Sequence, residues 1–194
     1  MSGDDRSHGY DDIADQFMSA RSSTGTDLVR HWAKTLAPGA AVLDIGAGHG
    51  EPLTKVLIDD GLNVSAIDAS PRLVEAFRQR FPGVEIACEP VEESRFHDKK
   101  FDAVLAVGLI FLLPPDAQRA LIDRVAQVLS PGGRFLFSAP RETGSWIDLL
   151  TERISISLGE AEYLKCLEAA GLVFHSHHND EGGSHYYEAR KPTR

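Results

Sequence analysis

The chain has 194 residues, a formal net charge of -9, and a composition that is 42% hydrophobic and 25% charged, which fits one soluble domain with a substantial core. No apolar run approaches the roughly 20 residues needed to cross a bilayer. The acidic balance excludes a sequence-independent grip on nucleic-acid phosphates, which needs clustered Lys and Arg.

The polar, acidic start MSGDDRSHGYDD is the wrong chemistry for a secretory leader, so the expected home is the cytoplasm and residues 1–9 are expected to be a disordered tail. Tyr10, Ile13, Ala14, Phe17 and Met18, then Leu28, His31, Trp32 and Leu36, recur at helical spacing and predict two amphipathic helices broken near Gly25. From residue 41 short β-rich runs alternate with helical patterns, the signature of a parallel sheet wound by crossover helices. Strands are expected at AVLDI (41–45), NVSAID (63–68), VEIAC (84–88), FDAVLAVG (101–108) and RFLFSA (134–139). Helices are expected over 50–60, from Ser70-Pro71 with Leu73, Val74, Phe77 and Phe81 inward, and along Ala117 to Leu129. Ser130-Pro131-Gly132-Gly133 reads as the turn before the fifth strand. A loop-rich insert of about twenty residues follows, a length often tied to function. Ser157 and Glu160 have capping-box spacing for a helix carrying Leu164 and Leu167 and ending at Gly171. LVFHSHHN and HYYEARK, joined by Asp180-Glu181-Gly182-Gly183, read as an antiparallel edge hairpin.

The chemistry concentrates at VLDIGAGHGEP, residues 42–52. A strand that runs into Gly46-Ala47-Gly48-His49-Gly50 brings bare backbone to the carboxyl end of a parallel sheet, where α/β folds bind ligands. A tight turn needing positive φ would also use these glycines. Asp68, at the end of the second strand and 22 positions after Gly46, is placed to accept both hydroxyls of a ribose held over the loop. The spacing is not the dinucleotide fingerprint, because Glu51 stands where that fingerprint has its last Gly or Ala, and an acid near a helix start repels a pyrophosphate. The residues favour a nucleoside over a dinucleotide.

From about Tyr10 onward the sequence resembles the class I S-adenosylmethionine-dependent methyltransferases: VLDIGAGHG is similar to their first motif, AIDAS to the second, FDAVLAVGLIFLL to the fourth-strand motif and LSPGGRFLFS to the fifth-strand segment. The resemblance implies an α/β, doubly wound Rossmann-like fold. Its sheet would have seven strands, mostly parallel, with an antiparallel edge hairpin, helices on both faces and an N-terminal helical lid. The implied organisation of residues 10–194 is a helical cap (10–38), a cofactor-binding core (41–139), a substrate-side insert (140–159) and a C-terminal helix with the edge hairpin (160–194). The implied cofactor is S-adenosylmethionine. Asp44 with the backbone at Gly46, Ala47 and Gly48 would hold the methionine amino end, Asp68 the ribose, Ala69 the adenine face and Gly108 the space beside the methionine. Arg21 stands where an arginine often pairs with the methionine carboxylate, and Tyr10 where an aromatic lid residue sits. Glu89 matches the acid that accepts from the adenine amino group. Pro90 departs from the pattern, since it has no N–H to bond the base, and the donor is expected to be Val91 or Glu92.

Methyl transfer from a sulfonium is an in-line displacement on an activated carbon, so alignment and exclusion of water can supply much of the rate. The substrate wall is expected from the first helix, Leu109 to Leu113, the insert from Arg141 to Leu158 and the edge hairpin. His185, Tyr186, Trp146 and Asp148 are the candidates for contact with the acceptor or its proton, against plain packing or strand roles for His185 and Trp146. Strand alternation sends Tyr186 and Tyr187 to opposite faces. The segment after the fourth strand lacks the Asn or Asp followed by Pro-Pro and an aromatic that relatives use on amide or exocyclic amino nitrogens, which favours a small-molecule acceptor over DNA or a large protein. His175, His177, His178 and His185 complete no recognisable metal set, so no metal is expected, and His49 is expected to point away from the donor. Cys88 and Cys166 read as buried thiols. Two alternatives stay open: an NAD(P)-dependent oxidoreductase built on the same loop and Asp68, and a non-enzymatic module that keeps the fold for binding another protein.

Overall fold

The computed structural model describes residues 5–193. In chain order the elements are α1 (Ala14–Ala20), α2 (Thr26–Ala33), β1 (Ala41–Ile45), α3 (Leu53–Asp59), β2 (Asn63–Asp68), α4 (Pro71–Arg80), β3 (Glu85–Cys88), β4 (Phe101–Ala106), α5 (Pro115–Val128), β5 (Leu129–Ser138), β6 (Gly144–Ile147), β7 (Ile154–Ser157), α6 (Glu160–Ala169), β8 (Val173–Asn179) and β9 (His185–Arg190). Seven strands form one sheet in the order β3-β2-β1-β4-β5-β9-β8. The first five are parallel, and β9 and β8 close the edge antiparallel. The doubly wound α/β architecture expected from the sequence is therefore present.

Alternation along the strands sorts the core into two layers. Val42, Ala103, Leu105, Leu136 and Tyr186 pack under α2 and α3, and Ala66 and Ile86 under Val74 and Phe77 of α4. Leu43, Ile45, Val104, Phe135, Phe137 and Tyr187 pack on the opposite face against α5 and α6. The strand order reverses between β1 and β4, so helices leave in opposite directions there and open a crevice at the strands' carboxyl ends. Ser70 caps α4, accepting from Leu73 N at 3.2 Å with Pro71 at the first helical position, as the sequence implied.

Several local expectations change. Helix α1 begins only at Ala14, and Tyr10 to Ile13 belong to the turns before it. Residues 5–9, read as tail, are a bonded turn: Asp5 accepts from Ser7 N (3.0 Å) and Gly9 N (2.8 Å), and Ser7 is buried. Residues 1–4 of that tail lie outside the described residues. The insert carries the two-stranded sheet β6–β7, with Trp146 opposite Ser155. The capping box does not form, because Ser157 is still strand; its hydroxyl donates to Pro140 O and the helix is preceded by Gly159. Ser130 to Gly133 are drawn into β5 through a register shift against β4. Cys88 is exposed rather than buried, because β3 is the outer strand and its last residue leaves the core; Cys166 is half-buried and both thiols are free. Among the described residues no helix is long and apolar enough to cross a membrane.

Candidate active site

The crevice at the carboxyl ends of β1, β2 and β4 is a cavity walled by the glycine loop, the residues after β3 and β4, the N-terminal turn and the tip of the β6–β7 hairpin. Its floor is backbone. Gly46, Gly48 and Gly50 have φ of +72°, +58° and +86°, a region that side-chain-bearing residues rarely adopt. Gly46 N and Ala47 N both donate to Ile67 O, which ties the loop to β2. A Cβ on Gly50 would lie 2.4 Å from the Phe81 ring, so this glycine is needed for packing. Gly108 has φ of +72° with nothing within 4 Å of where a Cβ would stand. It lines the cavity, so any side chain there would fill it.

Two carboxylates are held at this floor. Asp68 accepts from Gly48 N and Ser70 N, each at 2.8 Å. Burial raises its pKa, and those N–H groups act in the opposite direction. Asp44 accepts from Thr54 Oγ1 at 2.6 Å. Burial pushes its pKa up to about 6, outweighing that bond, and the nearby Asp68 charge adds to the rise. Arg21 lines the cavity from the segment after α1, over the Phe17 ring at 5.7 Å. Glu89 lines it beyond β3, its N–H fixed on Asp68 O at 3.0 Å. Val91 and Glu92 also line it, and neither N–H donates to an acceptor among the described residues. Glu51 faces the cavity with Arg80 at 3.5 Å. The arrangement suits a ligand with a cationic group and a hydroxyl-rich nucleoside, with one guanidinium for a carboxylate.

Residues 42–133 match the family model described as a methyltransferase domain. Residues 42–133, a little under half of the chain, are thus similar to methyltransferase domains, and solved neighbours of this fold hold S-adenosylmethionine or S-adenosylhomocysteine. An uncharacterized methyltransferase of Mycobacterium tuberculosis is 37% identical over 123 residues, 61% of this chain and 49% of that protein. The CcbJ methyltransferase from Streptomyces caelestis superposes with a TM-score of 0.79 at 18% identity, covering 98% of this chain and 100% of that one. The Burkholderia thailandensis 1,6-didemethyltoxoflavin-N1-methyltransferase, solved with S-adenosylhomocysteine, does so with a TM-score of 0.68 at 24% identity, over 99% and 92%. The chain spans about half the length of the mycobacterial relative.

The cavity gathers Tyr10, Arg21, Asp44, Gly46, Ala47, Gly48, Asp68, Ala69, Glu89, Val91, Gly108 and Asp148. Tyr10 packs edge-on against Phe17 with ring centroids 5.2 Å apart. Burial pushes its hydroxyl up to about 12, with the adjacent Asp148 carboxylate contributing. Asp148 Oδ1 is already committed to its own turn, accepting from Leu150 N (3.0 Å), Thr151 N (2.8 Å) and Thr151 Oγ1 (3.0 Å).

Three of the four acceptor-side candidates are not in the cavity wall. His185 sits on the edge hairpin, with Nε2 on His177 Nδ1 at 2.9 Å and Nδ1 on Asn179 Oδ1 at 2.9 Å. Tyr186 is buried under α2, its hydroxyl donating to Asp180 Oδ2 at 3.0 Å, and a Cβ on Gly25 would stand 2.7 Å from that hydroxyl. Trp146 packs on Phe111 at 5.4 Å and so stands behind a wall residue. Tyr186 and Tyr187 do take opposite faces. His49 is buried against Phe17, outside the lining, and burial lowers its pKa to about 4. His178 contacts Glu188 and His175 contacts Arg190.

The residues that sequence reading missed are Arg6, Ser7 and His8, which line the cavity. A signal was present: in Asp5-Arg6-Ser7-His8-Gly9, an Asp and a Ser that can accept backbone N–H groups precede a Gly, which is turn chemistry.

Proposed function

We propose that this chain transfers a methyl group from S-adenosylmethionine to a small-molecule acceptor. The observation that carries the reading is the Asp68 carboxylate, fixed by Gly48 N and Ser70 N at the carboxyl end of β2, in one cavity with Asp44, Arg21 and Glu89. Asp44 in its ionised form would face the methionine ammonium and Arg21 the carboxylate. Asp68 would accept from the ribose, Glu89 from the adenine amino group, and Val91 or Glu92 N–H would donate to the ring. When bound, the donor supplies an activated methyl, and this chain's residues contribute alignment and exclusion of water.

The acceptor would enter between Tyr10, Phe111, Leu113 and Asp148, a wall that is apolar apart from one phenol and one carboxylate and of a size for a metabolite. The Burkholderia neighbour is by its name a 1,6-didemethyltoxoflavin-N1-methyltransferase, which agrees. A net charge of -9 argues against a nucleic-acid partner. Transfer of labelled methyl to a metabolite panel tests the reading: the expected result is incorporation into at least one low-molecular-weight compound, and labelling only of protein or nucleic acid would contradict it.

A further inference from the structure

The N-terminal turn is built more tightly than an idle terminus requires. Asp5 takes three bonds from its own turn, from Ser7 N, Ser7 Oγ (2.6 Å) and Gly9 N, while Ser7 Oγ accepts from Asp11 N at 3.0 Å. The turn is anchored on three sides of the cavity. Asp5 pairs with Arg153 of the β6–β7 hairpin at 2.6 Å, and Arg6 pairs with Glu93 beyond β3. Asp11 accepts from Ser70 Oγ (2.6 Å) and Arg72 N (2.9 Å) at the start of α4. Gly9 lies against Arg153 and Thr151, so close that a Cβ would stand 3.0 Å from the Arg153 side chain. The segment is thus a strap across the cavity mouth.

The strap holds His8 at φ +54°, in the left-handed region that non-glycine residues rarely occupy. His8 lines the cavity next to Tyr10, and its ring makes no hydrogen bond to the described residues. Burial lowers its pKa, with Arg153 and Arg6 acting the same way and Glu92 and Asp5 opposing. The imidazole is therefore neutral near pH 7 and keeps a free lone pair. Tyr10 cannot take a proton there, since burial and the adjacent Asp148 carboxylate raise its pKa and keep its hydroxyl protonated.

Resting on the methyl-transfer reading, we infer that His8 is the proton acceptor for the incoming nucleophile, and that the acceptor is a protic small molecule, bearing a hydroxyl, thiol or amine, methylated beneath the strap. The acceptor's heteroatom forms the new bond to the methyl carbon, and the electron pair of the sulfur–methyl bond returns to sulfur. The acceptor's proton passes to the His8 imidazole, whose positive charge faces Glu92 and Asp5, and it leaves to water.

The test uses His8→Gly, which the positive φ accepts without strain, beside His8→Asn. Both are assayed with phenol, catechol, alkylamine and thiol probes and labelled donor. Wild type is expected to methylate at least one probe, with kcat/KM rising along a limb below pH 6.5. Both variants should lose that limb and fall at least about 30-fold, within the range of general-base loss, while S-adenosylhomocysteine affinity by calorimetry stays within about threefold. Added imidazole should restore His8→Gly by about tenfold or more, which a purely structural histidine would not allow. By NMR, the ring signal missing from His8→Gly should shift when S-adenosylhomocysteine is added to wild type. An unchanged pH limb, no imidazole rescue, or an unmoved His8 signal overturns the assignment. Cofactor binding with no transfer to any protic probe overturns the substrate class alone, whereas absence of cofactor binding overturns the methyl-donor reading itself.

Discussion

The two halves of the cavity are made in different ways. The floor, at the ends of β1, β2 and β4, is glycine backbone and buried carboxylates whose partners lie within about twenty residues of one another, as with Gly48 and Asp68. The roof, made by the N-terminal turn and the β6–β7 hairpin, is held by exposed ion pairs between distant segments, as with Asp5 and Arg153. A floor of fixed N–H and carboxylate groups can hold one ligand in one pose. A roof of partly solvated pairs can open, because each such pair contributes only about 0–1 kcal/mol.

The largest effect that would break this contrast is at Asp68. Asp68→Ala removes both ribose acceptors and leaves Gly48 N and Ser70 N without a partner. S-adenosylhomocysteine affinity should fall at least about 100-fold by calorimetry, at roughly 1.5–3 kcal/mol for each charged hydrogen bond. A loss under threefold would mean that the floor does not carry the recognition.

Acidification should act next. Asp44 has its pKa raised to about 6, so in the free protein it binds a proton as pH falls through 6, and a cationic ligand must displace that proton. Affinity should drop by up to about tenfold per pH unit below 6, with proton release detectable from the buffer dependence of the calorimetric heat. For folding the sign is reversed: an acid with a raised native pKa favours the native state below about pH 4, and that contribution is lost as pH rises through 6.

Arg153→Ala sharpens the contrast on the roof. Removing the pair with Asp5 should change stability by less than about 1 kcal/mol and leave cofactor affinity within about threefold. Amide exchange across residues 5–13 should speed up about fivefold or more as the strap loosens. The smallest effect is expected at His185, whose partners are His177 and Asn179. His185→Ala should alter cofactor affinity by less than twofold.

The same contrast explains how far the sequence could be read. The floor follows from local rules: a strand into glycines, an acid at the next strand's end, Ser-Pro starting a helix. Asp44, Asp68, Glu89 and Gly108 accordingly stand together in the cavity. The roof depends on contacts such as Asp5 with Arg153 and Tyr10 with Asp148, which no periodicity encodes. Asp148 was reachable because the insert was marked by its length, but His8 was hidden by its place near a terminus. His185 and Tyr186 drew attention as polar groups on an edge strand, and their side chains are used instead by Asn179, His177 and Asp180. The Ser157 and Glu160 pair had the right spacing for a cap, and strand pairing of Ser157 with Gly144 overrode it.

What binds the glycine-loop floor decides between a methyl donor and a dinucleotide. Parallel calorimetric titrations of the full chain with S-adenosylhomocysteine and with NADH at pH 7.5 test it directly. Saturable one-site binding of S-adenosylhomocysteine and no heat with NADH is the predicted result. Binding of NADH with none of S-adenosylhomocysteine would contradict it.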